Sequence, residues 1–537
     1  MGANVSTACC NKGDTASIPS ETVRAAGADA ENPAADPDAK ASEDGEVDEV
    51  GEVGEVAATH RLKVMKSLGH LEVDEEILRG VSLRKTLRGF GRVWQFSPSD
   101  LPLKEREALW KKSASVKSLA FFISHTWRTA GRWKVLALLL RTSWAFVILC
   151  WACCMSMVVC LYALEVLPRP LTAPDVGILG LTLTYHSGPW LLVAHVPSIL
   201  LGFALAPYFP SLKNDQSFLD VTCIHQEDQA LMERGVYGLG GFLARSKKLL
   251  ILWSQPYLSR LWCVFEIAAY RAANPEGQIE LAPIFVELTV LVLWVMIFCS
   301  TCLSYAVSFT PEYFWVAMPF ALVPQLVAAH FLRRLISQKH RLIESMANFD
   351  VDKAECREEF DRKFVMTAID AWYGSREAFN QYVQGPVRDE LLQKRSTQIP
   401  SAYFLLLIAA VSAPSFEVFI GFCLDGFPAD VLWIRVLSKQ IGFFFASQMV
   451  TLKILLYLCD RFAMPPSIPH LRAFPRVGGL CDFLQTVLIY LSYIVVDLGS
   501  YAVCRRSQGH VWSAALYCSV MLFWAGLLHG CCRRRCV

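Results

Sequence analysis

Eight stretches of this chain are mostly apolar and about 20 residues long, enough for each to cross a bilayer as a helix. They are Trp144–Leu167, Trp190–Phe209, Leu288–Phe309, Tyr313–Leu332, Tyr403–Leu424, Leu432–Leu456, Phe483–Val503 and Val511–Gly530. The second carries His195 and Pro197, and the sixth carries Lys439 and Lys453. Hydrophobic residues make up 54% of the chain and mean hydropathy is +0.35, which excludes an ordinary soluble globule. The expectation is a multi-pass membrane protein.

Basic flanks orient the spans. Lys111, Lys112, Lys117, Arg128, Arg132, Lys134 and Arg141 precede the first run. Arg333, Arg334, Lys339 and Arg341 follow the fourth, and Arg533, Arg534 and Arg535 follow the eighth. An even count then puts both termini in the cytosol, although Arg505 and Arg506 fall on the wrong side for the last hairpin. The nineteen cysteines do not form a disulfide pattern, because many lie inside the spans and most others face a reducing compartment. No Cys/His spacing points to a metal, and nothing points to nucleic acid.

The N-terminal segment 1–60 is different in kind. It holds thirteen acids against three bases, a net −10, so the remainder of this +2 chain carries +12. Few large apolar residues and that charge predict a disordered acidic tail. Its start, Met1-Gly2-Ala3-Asn4-Val5-Ser6, fits N-myristoylation at Gly2, and Cys9 and Cys10 suit palmitoylation. Two acyl chains hold a membrane far better than one. At the far end, segment 531–537 sets Cys531, Cys532 and Cys536 around three arginines.

Between the spans lies a strand–helix alternation. Lys247-Lys248-Leu249-Leu250-Ile251-Leu252-Trp253 reads as a buried strand, followed by Ser254, Tyr257 and the helix Leu261-Trp262-Cys263-Val264-Phe265-Glu266-Ile267. Leu261, Val264, Phe265 and Ala268 form an apolar stripe, while Trp262 and Glu266, four apart, share another face. Three further segments fit this pattern in order: Leu119-Ala120-Phe121-Phe122-Ile123-Ser124-His125, Phe218-Leu219-Asp220, and Ile279-Glu280-Leu281-Ala282-Pro283-Ile284-Phe285.

These pieces resemble the TIR (Toll/interleukin receptor) domain, in which a Ser-x-x-Tyr element precedes a Trp-Cys-x-x-Glu helix. Ser254, Tyr257, Trp262, Cys263 and Glu266 match, while Arg260 stands where the family has a small residue. The resemblance covers less than a third of the chain. It implies an α/β flavodoxin-like cytosolic domain, interrupted by and joined to an all-α polytopic membrane domain of about eight helices. The corresponding segments are 61–142 with the first strand, the hairpin 143–210, the main TIR-like segment 211–287, the hairpin 288–332, a helical cytosolic segment 333–400, and spans 401–530. The first strand, Leu119–Ile123, is expected in the centre of a parallel sheet, between Phe218–Val221 and Leu249–Trp253. Phe349–Gln393 is expected to pack on this domain, because the chain re-enters the membrane soon after the fourth strand.

Three functions remain open. Many TIR domains split the nicotinamide–ribose bond of NAD with the glutamate that Glu266 matches. In that reading Glu266 is catalytic, Ser124, His125, Arg128 and Trp262 bind substrate, NAD is a substrate rather than a resident cofactor, and self-association is the switch. Others are adaptors that only bind one another, which would make Glu266 a solvated residue and Trp262 packing. His125 could equally cap the strand end. The third reading is a channel or transporter, suggested by Glu417, Lys453 and Asp497 inside spans. Such charges are costly there, and Lys453 pairing with one of the acids would offset part of the cost.

Overall fold

A computed structural model of the chain describes residues 73–96, 101–210, 214–310, 313–393, 399–464 and 475–530. The lipidation candidates Gly2, Cys9 and Cys10, the acidic tail and the cysteine–arginine end lie outside the described residues.

The protein is a mixed six-stranded sheet joined to a bundle of long apolar helices. Its strands are β1 (Arg79–Ser82), β2 (Ala114–Ser115), β3 (Phe121–Ser124), β6 (Gln216–Phe218), β7 (Lys248–Trp253) and β8 (Gln278–Pro283), in the order β2-β1-β6-β3-β7-β8. A separate hairpin, β4 (Leu171–Ile178) and β5 (Leu181–Ser187), lies between the first two membrane helices.

Strands β6, β3, β7 and β8 are parallel, and β1 lies antiparallel between β6 and the short edge strand β2. The first strand therefore lies centrally between the second and third, as its sequence predicts. Both faces of β7 are covered, so Leu249 to Trp253 are all buried, as an unbroken apolar run in a parallel sheet should be. Phe122 stacks on Phe218 across the β3–β6 pair at 4.4 Å. The second strand is shorter than expected: it stops at Phe218, and Asp220–Cys223 forms a helical turn.

Seven helices among the described residues are long and apolar enough to cross a membrane: Gly131–Ala163, Trp190–Tyr208, Ile284–Ser308, Tyr403–Leu424, Ala429–Arg461, Gly479–Ser507 and Val511–His529. This is a multi-pass membrane protein. The remaining expected run, Tyr313–Leu332, lies in the 34-residue helix Phe314–Ala347, several of whose side chains are outside the described set. Helix Tyr403–Leu424 is the central one, with 78% of its most apolar window buried, against 17% for Gly131–Ala163. Gly421 lets it approach the hairpin, since a Cβ there would stand 2.3 Å from the His186 carbonyl oxygen.

Two membrane helices grow directly out of the sheet. Helix Gly131–Ala163 starts thirteen residues before the expected span, because Val135, Leu138 and Leu139 are buried in the sheet's own core. Helix Ile284–Ser308 follows β8 with no loop, so Ile284 and Phe285, expected in the strand, are helical. Both junctions lie at the carboxyl edge of the parallel strands. Gly131 is required there: a Cβ would stand 1.8 Å from the Trp94 carbonyl oxygen.

Segment 349–393 packs into the same core through Phe349, Phe364, Ile369 and Phe379, but it contributes helices rather than a strand. Its helix Glu359–Tyr373 lies on helix Leu261–Ala273. That second helix is thus enclosed on two sides, and the expected division into one apolar and one open face does not hold. Phe265 meets Phe364 at 5.8 Å and Trp372 at 5.7 Å.

Candidate functional site

The carboxyl edge of an open parallel sheet is where ligands ordinarily bind. Here β3 ends at Ser124, and β7 ends at Trp253 before the turn to helix Leu261–Ala273. The Ser124 hydroxyl meets both Tyr257 and Glu266. Three residues from a strand, a turn and a helix, as much as 142 positions apart, thus converge on one point. Tyr257 is fully buried, whereas Glu266 keeps an accessible edge. Burial pushes the Glu266 carboxyl up to about 8, against the pull of the Ser124 hydrogen bond. Burial also drives the Cys263 thiol well above its usual range, with the Glu266 carboxyl adding to the effect. At neutral pH Glu266 is therefore mostly a neutral acid, able to donate as well as accept.

Behind this trio lies a second polar layer. His125 is buried between Trp94 at 5.2 Å and Trp127 at 4.8 Å, and its Nε2 lies 3.5 Å from Asp220. Burial, with the Lys134 ammonium nearby, holds the imidazole below its ordinary pKa, so it is neutral. Asp220 accepts from the Trp127 indole at 2.7 Å and from the Val221 amide at 2.8 Å. Lys134, fully buried, donates to the Thr126 carbonyl at 3.2 Å and lies 4.4 Å from the Trp127 ring. This layer fixes the loop 125–130 beneath the strand end. His125 belongs to it and does not line an open crevice.

Two other expected site residues are also otherwise engaged. Trp262 does not lie open beside Glu266. It is 8% exposed, packs on Phe265 at 5.4 Å and donates to Asp361 at 3.2 Å. Arg128 pairs with Glu355, whose backbone is tied to the turn by Glu355 N to Ser259 O at 2.7 Å and Leu261 N to Glu355 O at 3.1 Å. The segment after the fourth expected span thus covers one rim of the site. Neither Asp361 nor Glu355 carried a local signal, because their partners lie 99 and 227 positions away in the chain.

The three intramembrane charges occupy three separate settings. Glu417 is buried, accepts from Tyr162 at 2.7 Å and from the Leu191 amide, and so caps the start of helix Trp190–Leu205. Asp497 accepts from Gln448 at 2.8 Å. Lys453 lies 5.8 Å from the Phe404 ring and pairs with neither acid, so the pairing that would offset their cost is not made. The acids are satisfied locally by neutral donors, as a buried polar group requires.

The joint between sheet and membrane has its own polar contacts. Arg141 pairs with Glu280 of β8 and lies 3.6 Å from Glu287, which also receives the Tyr403 hydroxyl at 3.3 Å. Arg333 is buried and donates to Phe462 O at 3.0 Å, Asp482 O at 2.7 Å, Gln485 at 2.7 Å and Thr486 at 2.6 Å.

No protein-family model matches the chain, and no curated protein or solved structure matches it either.

Proposed function

We propose that this multi-pass membrane protein is a signalling protein with both ends in the cytosol, whose sheet domain is TIR-like and hydrolyses NAD at Glu266 when copies assemble. One observation carries the reading. Ser124 and Glu266, matched separately to different parts of the TIR pattern, share a hydrogen bond at the carboxyl edge of the central strand. The parallel run β6-β3-β7-β8 supports the reading, since a flavodoxin-like sheet would set its second, first, third and fourth strands side by side in that order, although no fifth parallel strand follows among the described residues.

The chemistry suits a carboxyl group in this state. In hydrolysis the bond from ribose to the nicotinamide nitrogen breaks, nicotinamide leaves with the electron pair, and water adds to the ribose carbon and loses a proton. Positive charge builds on the ribose as the bond opens, and a nearby carboxylate stabilises it. The resting Glu266 is neutral at pH 7, but the cationic nicotinamide ring beside it would favour ionisation. A carboxyl that ionises only beside its cationic substrate stays uncharged until NAD is bound.

The test is nicotinamide release from NAD by the full chain, reconstituted at rising density in vesicles. Wild type is expected to gain activity with density, and Glu266→Gln to lose roughly a hundredfold or more. Absence of release at every density, or an unaffected Glu266→Gln, leaves the second reading, a non-catalytic scaffold. The buried Trp262 and the Arg128–Glu355 pair favour that alternative, since both withdraw groups from the rim.

A further inference from the structure

A cavity of about 400 Å³ opens where the membrane helices meet the sheet domain. Its level is set by helix ends. Phe285 and Phe404 are each the second residue of their helices, Leu528 is near the end of Val511–Gly530, and Asp460 is near the end of Gln448–Arg461. The groove therefore lies at the sheet-side ends of the spans, where the phosphate groups of that leaflet lie. Most of its wall is apolar, with Ile336, Ile454, Leu456 and Leu528 among the lining residues.

Two lysines line this groove, and they differ. Lys339 is held by Asp460 at 2.6 Å. Lys453 has no carboxylate partner among the described residues; its ammonium lies 5.8 Å from the Phe404 ring. A cation over an aromatic face in an apolar groove is poorly compensated, and a lysine two turns from a helix end extends towards the interface.

We propose that this groove binds an anionic phospholipid of the sheet-side leaflet, with its phosphate on Lys453 and an acyl chain along the apolar wall. The lipid, rather than a soluble phosphate, follows from the wall: a small anion would leave Ile336, Ile454 and Leu528 without apolar contact. Basic pockets between membrane helices take anionic headgroups by this combination of charge and burial. Phe285 and Val286 line the groove and also belong to the sheet's core, so an occupant would touch the joint that carries β8 into the membrane.

The experiment uses native mass spectrometry of the full chain in neutral detergent, with added phosphatidylglycerol or phosphatidylcholine of identical chains. Wild type is expected to retain the anionic lipid about fivefold more tightly, the effect of one lysine near the surface. Lys453→Gln should bring the two lipids level, and Lys453→Arg should keep the preference. Ile454→Trp, which fills the wall, should weaken both lipids. Equal retention by wild type, or an unchanged preference in Lys453→Gln, overturns the proposal. Displacement of the lipid by excess soluble glycerol phosphate overturns it too, because the site would then read the phosphate alone.

Discussion

Ser124 and Glu266 share a hydrogen bond across the carboxyl edge of the sheet, with Tyr257 on the same serine hydroxyl. The contact ties the central strand to the helix that follows its neighbour. Burial of the carboxyl at this point, working against that hydrogen bond, pushes Glu266 up to about 8.

That shift has a direction that can be measured. A carboxyl raised in the folded state stabilises the fold below its ordinary pKa of 4.5, and the contribution fades as pH rises through about 8. Hydrogen exchange in helix Leu261–Ala273 should therefore grow between pH 5 and pH 9 (roughly, the window of that linkage) beyond the intrinsic rate change. Glu266→Gln, which cannot ionise, should remove the excess. A variant that behaves as wild type does would place the ionisation elsewhere.

Trp262 separates packing from recognition. Truncation to Ala should cost about 3–5 kcal/mol of stability, as for other buried aromatic groups. Trp262→Phe keeps most of the contact with Phe364 but removes one bond to the buried Asp361 carboxylate, at about 2 kcal/mol. Any NAD turnover per folded molecule should be unchanged in Trp262→Phe. A large rise in KM in that variant would return the residue to the substrate site.

Arg141 should matter through the charge it leaves behind. Arg141→Met strands Glu287, whose side chain is 2% exposed, and is expected to destabilise the joint by about 3 kcal/mol. Adding Glu287→Gln should restore part of the loss, since the stranded charge is then gone. Thermal unfolding in detergent, followed for the single and double variants, reads this directly; simple additivity would contradict it.

At the N-terminus, the Gly2…Ser6 pattern with Cys9 and Cys10 predicts a myristoylated, palmitoylated start. Mass spectrometry of the native protein should find Met1 removed and Gly2 acylated. Gly2→Ala should abolish both modifications if the second acylation needs membrane contact from the first. Retained Met1 or a free Gly2 amine would end this reading.

Hydrophobicity alone determined much of the architecture. Run length marked the helices, and the unbroken apolar strand Leu249–Trp253 marked a parallel sheet buried on both faces, because both signals are local. The strand–helix alternation, read through the resemblance to the TIR domain, placed Leu119–Ile123 between its neighbours. The contacts that close over long loops carry no such local signal. Asp361 takes the Trp262 indole, Glu355 takes Arg128, and neutral donors rather than Lys453 satisfy Glu417 and Asp497. Hydrophobic patterning specifies which face of an element is buried, but not which element will bury it. In this chain the cover for helix Leu261–Ala273 arrives from beyond two further passes of long helix, so the side chains that flank Glu266 were fixed by packing and not by spacing.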